Sequence, residues 1–175
     1  MKIGLLGGSF DPPHFGHLGI SKEALDLLNL HQIWWLPTKQ NPLRDNKSSD
    51  FTERLKLSQE ITKNEPKIRV MDLEKNLKSS YLIDLLEEII KKYPKNEFFL
   101  IIGSDNLINF HLWQRWKDII DLVKIVVFER KNYIRAAKNS KTTVFCEQLQ
   151  EKRLIFVKNK KYNISSTQIR KKNEA

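Results

Sequence analysis

Two histidines stand three residues apart in "GGSFDPPHFGH", residues 7–17, after the apolar run "KIGLL" and before a stretch patterned as a helix. No serine–histidine–acid set and no cysteine nucleophile accompanies His14 and His17, so there is nothing beside them to activate. Gly7 and Gly8 let the backbone come close to a ligand, and Pro12 and Pro13 stiffen the approach to the helix. The segment is neither a G-x-G-x-x-G dinucleotide fingerprint nor a Walker A loop. A helix start carries free backbone N–H groups and is a natural anion site. Positions 14 and 17 would share one helix face there, with Gly16 between them keeping it open.

Three chemistries fit such a pair. Metal binding would want a third and fourth ligand, and His31 and His111 lie in unrelated contexts. A structural role as buried, satisfied side chains is the plain alternative. The favoured reading is hydrogen-bond donation to a phosphate chain at the helix N-terminus. Phosphoryl and nucleotidyl transfer depend mainly on positioning and charge stabilisation, so such histidines need no nucleophile to serve.

The rest of the chain must hold this turn in place. Its 175 residues suit one domain with a proper core. Hydrophobic residues make up 40%, which fits a globular protein, and no apolar run has membrane-spanning length. The N-terminus lacks a signal-peptide pattern, and the single cysteine, Cys146, cannot form an internal disulfide. A cytoplasmic, reducing environment is expected. The net charge of +10 is partly local, since Lys152–Lys172 holds eight basic residues and no acidic one. A solvated lysine-rich surface explains it, and it also suits attraction of a polyphosphate. Aromatic residues are not interleaved with the basic ones in an RNA-binding signature, which argues against a nucleic-acid partner.

Apolar runs at 2–6, 33–36, 68–71, 98–102, 123–128 and 154–157 alternate with helical stretches near 16–29, 51–63, 80–92, 105–120 and 142–151. "DFTE" at 50–53 has a capping-box pattern, Pro94 closes the helix before it, and "SSTQ" at 165–168 opens a short C-terminal helical segment. Strands separated by helices imply crossover connections. The fold class is therefore α/β: a Rossmann-like, doubly wound, mainly parallel sheet with helices on both faces. Ligands bind such sheets at the carboxyl ends of the strands. Residues 7–17, 103–106 ("GSDN") and 163–170 ("NISSTQIR") would meet on that edge, with the long polar segment 38–50 beside them as a lid.

With "ISSTQIR" near its C-terminus, the opening motif resembles the nucleotidyltransferase superfamily marked by histidine-x-glycine-histidine. "WWLPTKQNPLR", "SSYLIDLLEEI", "FFLIIGSDNLINFHLW" and "FER" follow in the order found in bacterial nicotinate mononucleotide adenylyltransferases, so the resemblance covers essentially the whole chain. It implies one nucleotidyltransferase domain over residues 1–175. It also implies adenylyl transfer from ATP to nicotinate mononucleotide with Mg2+, giving deamido-NAD and pyrophosphate in NAD biosynthesis.

Carried over by position, His14 and His17 would contact the ATP phosphates. Gly7, Gly8, Ser9 and Phe10 would line the nucleotide site with Gly103 and Asp105. Ile164, Ser165, Ser166, Thr167 and Arg170 would hold the adenine and phosphate side. Trp113 would stack on the pyridine ring, whose carboxylate would be met around Leu82 and Gln114, next to Ser80 and Tyr81. Arg130 would bind the mononucleotide phosphate. From spacing alone, Trp113 reads as core, Arg130 as solvated and Asp105 as a helix cap.

Two positions depart from the family pattern. Pro42-Leu43-Arg44 replaces a proline-histidine-basic triplet, leaving Arg44 the cationic role on the phosphates. Ser80-Tyr81-Leu82 replaces serine-tyrosine-threonine, which is harmless if that position acts through its backbone. Phosphopantetheine adenylyltransferase, a nicotinamide mononucleotide-preferring adenylyltransferase and a basic nucleic-acid-binding module are the rival readings. Oligomeric state is not legible in the sequence.

Overall fold

The computed structural model describes residues 1–38, 50–73, 79 and 81–158. Strands β1 (Lys2–Gly8), β2 (Gln32–Pro37), β3 (Ile68–Val70), β4 (Glu97–Gly103), β5 (Lys124–Phe128) and β6 (Leu154–Val157) form a six-stranded sheet in the order β3-β2-β1-β4-β5-β6. All neighbouring pairs run parallel. The helices are α1 (Phe15–Leu27), α2 (Phe51–Thr62), α3 (Leu82–Lys92), α4 (Ser104–Ile108), α5 (Trp116–Leu122), α6 (Ile134–Lys138) and α7 (Lys141–Glu147).

Alternation along each strand splits the core into two layers. Ile3, Leu5, Trp34, Leu36, Leu100, Ile102, Ile125 and Val127 face one side, where Ile83, Leu86 and Ile89 of α3 and Ile119 and Ile120 of α5 close over them. Leu6, Ile33, Trp35, Phe99, Ile101, Val126 and Phe128 face the other, beneath Ala24 of α1 and Ile61 of α2. A sheet buried on both faces reads as continuous apolar runs, which is why its strands were legible. The strand order reverses between β1 and β4, so the crevice outside their carboxyl ends is the place for a ligand.

Caps explain several boundaries. The Asp50 carboxylate accepts from the Glu53 N–H (3.1 Å) and starts α2, and α3 ends at Lys92, two residues before Pro94. Two expectations are corrected. The helix expected over 105–120 is broken into α4, a 3₁₀ turn at Phe110–Leu112, and α5. The break occurs because Phe110 is drawn wholly into the core, Trp113 turns extended (ψ 144°) and Arg115 adopts a left-handed conformation (φ 51°). Arg115 is held by Glu87 of α3 (2.8 Å) and by Asp118 (2.7 Å). The helix expected over 142–151 is α7, shorter and earlier, started by Ser140 accepting from the Thr143 N–H (3.3 Å). The adjacent α6 was not anticipated.

Candidate active site

The turn after β1 delivers both histidines to the switch point. His14 is the N-cap of α1, and its Nδ1 accepts from the Gly16 N–H (3.0 Å). His17, one turn on, accepts the His14 N–H at its own Nδ1 (3.2 Å). The two histidines make a capping box from imidazoles, in the place usually taken by Ser or Thr and Glu. Each Nδ1 is thus an acceptor, so a neutral ring carries its proton on Nε2. The rings lie 3.8 Å apart, centroid to centroid, and His14 is only 8% exposed. Its Nε2 is buried without a hydrogen-bond partner among the described residues, a donor left open at a helix N-terminus.

Packing around His17 is aromatic. Phe10 lies 4.7 Å from it and 4.8 Å from Trp35, centroid to centroid. Trp35 donates its indole N–H to Ser21 Oγ (2.8 Å), and Ser21 donates onward to the His17 carbonyl (2.8 Å). The first turn of α1 is therefore pinned from three directions. Burial pushes the His14 pKa down to about 4, helped by the positive charge of Arg130. His17 falls to about 3 through burial first, then His14 and Arg130, against a smaller opposite effect of its bond to the His14 backbone. At neutral pH both rings are uncharged donors.

That has a consequence for stability. The unfolded histidines titrate near 6.5 and the folded ones near 4 and 3, so between these values the unfolded chain binds more protons. Stability then rises with pH in that window and is lost on acidification from about pH 6.5 down to about 3. Thermal melts at pH 7 and pH 5 should show the drop, and a His14→Gln/His17→Gln double variant should show less of it. Equal drops in both proteins would assign the acid sensitivity elsewhere.

Arg130, just past the end of β5, and Asp105 of α4 converge on the same place. Arg130 pairs through its guanidinium with Asp105 Oδ2 (2.9 Å), while its backbone N–H donates to the fully buried Ser104 hydroxyl (2.9 Å). Asp105 Oδ1 is buried and has no hydrogen-bond partner among the described residues. A Cβ at Gly103 would stand 2.3 Å from that same oxygen, so a larger residue there would have to displace the Asp105 carboxylate. Asp105 does not cap α4 as spacing suggests, since the cap is Gly103 without a side-chain hydrogen bond, and Arg130 is paired rather than merely solvated. Ser104, which ties the two segments together, was missed in the sequence because a serine after a strand reads only as loop.

Gly7 and Gly8 end β1, and the Gly8 carbonyl accepts from the Thr38 N–H (2.9 Å). The Ser9 carbonyl accepts from Arg54. Phe10 is 1% exposed, so its ring is core and only its backbone is available to a nucleotide. Tyr81 is the exposed N-cap of α3, and Leu82, its first residue, packs its side chain against the core. The Leu82 N–H belongs to a helix N-terminus, where backbone donors lack intrahelical partners. Trp113 is half-buried with its ring 4.7 Å from Phe110, and Gln114 is exposed beside it. α3 and α5 pack together, which brings the Tyr81–Leu82 and Trp113–Gln114 elements onto one side of the sheet. Arg44, Leu43, Ser80, Ile164, Ser165, Ser166, Thr167 and Arg170, residues 39–49 of the expected lid and the C-terminal helical segment lie outside the described residues. Arg54, 1% exposed and bonded to this turn, was not anticipated at all.

The geometry is therefore an anion-receptive turn with two neutral imidazole donors, one guanidinium–carboxylate pair and glycines at both strand ends. The sequence pattern of the cytidylyltransferase-like family matches residues 5–172. A Pelagibacter ubique protein named as a probable nicotinate-nucleotide adenylyltransferase is 43% identical over 97% of this chain and 92% of its own. A Fusobacterium nucleatum protein of the same name is 40% identical over 98% of this chain and 87% of its own. Among solved structures, Plasmodium falciparum nicotinic acid mononucleotide adenylyltransferase complexed with NaAD superposes with a TM-score of 0.78 at 22% identity. The match covers 97% of this chain and 82% of that one. This likeness establishes the common fold.

Proposed function

The chain belongs to the nicotinate-nucleotide adenylyltransferases of the cytidylyltransferase-like family, and from that premise we propose how its own residues carry out adenylyl transfer to nicotinate mononucleotide. It is a nucleotidyltransferase of NAD biosynthesis. In the reaction a phosphate oxygen of the mononucleotide forms a bond to the α-phosphorus of ATP. The bond from that phosphorus to the α,β-bridging oxygen breaks, and pyrophosphate leaves with the electron pair.

The observation that carries the reading is the orientation of the two imidazoles. Their Nδ1 atoms are occupied by backbone N–H groups, so Nε2–H is the only donor each can offer. Neutral donors fixed before the reaction stabilise charge where it develops on the leaving pyrophosphate without reorganisation. Arg130, paired with Asp105, supplies the cation for the mononucleotide phosphate. Half-buried Trp113 stacks on the pyridine ring, and backbone N–H groups at Leu82 and beside Gln114 meet its carboxylate. Arg44, Ser80 and residues 164–170 keep the roles implied by their position in the family pattern.

Among the described residues no group of three or more His, Cys, Asp or Glu could hold a metal ion. Mg2+ is assigned to the triphosphate with which it enters, its coordination coming mainly from phosphate oxygens and water. Among the described residues no helix is long and apolar enough to cross a membrane. A single domain over residues 1–175 and a cytoplasmic location complete the reading.

Pyrophosphate release from ATP and Mg2+ tests it, with nicotinate mononucleotide, nicotinamide mononucleotide and phosphopantetheine supplied separately. Release mainly with the first is expected. Release mainly with either other acceptor would reassign the acceptor pocket while keeping the phosphate chemistry.

A further inference from the structure

We propose that Arg54 is a positioning residue for the phosphate-receiving turn, holding the Ser9–Phe10 peptide in place from beneath; the proposal rests on the reading that this turn receives the ATP phosphates. The inner face of α2 is polar in an unusual way. Its buried residues are Arg54, Ser58 and Thr62, spaced by four. Ser58 and Thr62 return their hydroxyls to their own helix, onto the Arg54 and Ser58 carbonyls (2.8 Å each). Only Arg54 reaches out of it. Its guanidinium donates to the Ser9 carbonyl and to the Thr38 carbonyl (2.8 Å).

Those two carbonyls stand where the parallel ladder between β1 and β2 runs out, just past the Thr38 N–H to Gly8 bond. Two carbonyl dipoles aimed at one point repel unless a donor or cation lies between them, and the guanidinium with its planar fork fills that place. A buried cation is retained only where its hydrogen bonds are made, so the arrangement fixes the carbonyls as firmly as it fixes the arginine. Because a trans peptide points its C=O and N–H in opposite directions, the Ser9 carbonyl turned toward Arg54 turns the Phe10 N–H away from it. Phe10 itself sits in a left-handed conformation (φ 47°) that a bulky residue keeps only when its surroundings hold it. Trp35 and His17 hold its ring, and Arg54 holds its peptide. Arg54 therefore acts on catalysis through this turn and touches no substrate.

Two variants test this, with kinetics and direct calorimetric binding of ATP. Arg54→Gln keeps a polar stem but loses the charge and the fork. Its KM for ATP and its ATP dissociation constant should rise on the order of 10-fold, with the KM for the mononucleotide unchanged. Arg54→Ala should lose turnover that guanidinium chloride, but not equal sodium chloride, restores. A purely structural role would lower the melting temperature and leave the kinetics per folded molecule intact, and that result overturns the proposal. If Arg54→Ala does not fold, Arg54→Gln decides: wild-type affinity for ATP in it sinks the idea. Calorimetry reads Arg54 even if no acceptor is turned over, so failure of the functional reading remains distinguishable.

Discussion

Replacing His17 by alanine lowers turnover on the order of 10²–10³-fold, the usual loss for one preorganised donor to a developing anion. The argument depends on the ring being neutral and its proton being on Nε2. Both follow from the surroundings: the His14 N–H occupies Nδ1 (3.2 Å), and burial against Phe10 and Trp35 keeps the pKa near 3. The same substitution also removes half of the imidazole capping box. Loss of a cap costs about 0.5–2 kcal/mol of stability, a fall that a melting curve records separately from kcat. Pyrophosphate release per folded molecule, under saturating substrates, is therefore the deciding measurement. If turnover is unchanged in a folded His17→Ala protein, the ring is only a cap, and the structural reading of the histidine pair is restored.

The division of each imidazole into a structural and a chemical nitrogen also shows where sequence reading stops. Residue type and spacing put His14 and His17 at a helix start and on one face, and the structure agrees. Nothing in the letters says that Nδ1 serves the backbone, because that depends on the extended conformation of His14 (φ −148°, ψ 167°) at the cap. The six strands were legible from runs such as "FFLII", since burial on both faces leaves little room for polar residues. The break at 109–115 was not. Leu107, Phe110, Trp113 and Trp116 repeat every three residues, a spacing shared by an amphipathic helix and by a 3₁₀ turn, and only the burial of Phe110 decides between them. Arg54 was hidden for another reason. A basic residue within "FTERLKLSQ" reads as solvated surface in a chain with 31 lysines and arginines, and its burial is a tertiary fact.

Arg130→Ala carries the second large effect, and its signature is double. Charge-assisted hydrogen bonds contribute about 1.5–3 kcal/mol, so kcat/KM for the mononucleotide should fall about 10- to 10²-fold. The variant should also change the pH dependence. Arg130 is among the causes that hold His14 and His17 below 6.5, and a positive neighbour disfavours a second positive charge. Without it both folded pKa values move up toward 6.5. A protonated imidazole no longer matches the neutral donor pair, so the acid-side fall in turnover should shift to higher pH. Arg130→Lys should leave the acid limb near its original position, because the charge remains, yet recover only part of kcat/KM, because the planar fork is lost. Asp105 supplies the control. It shares its Oδ2 with the Arg130 guanidinium (2.9 Å), so an Asp105→Ala/Arg130→Ala double variant should cost less than the sum of the single ones. Additive losses would mean that the pair does not work as a unit. An acid limb that stays fixed in Arg130→Ala would mean that burial alone sets the two imidazoles, and that Arg130 reaches only the mononucleotide.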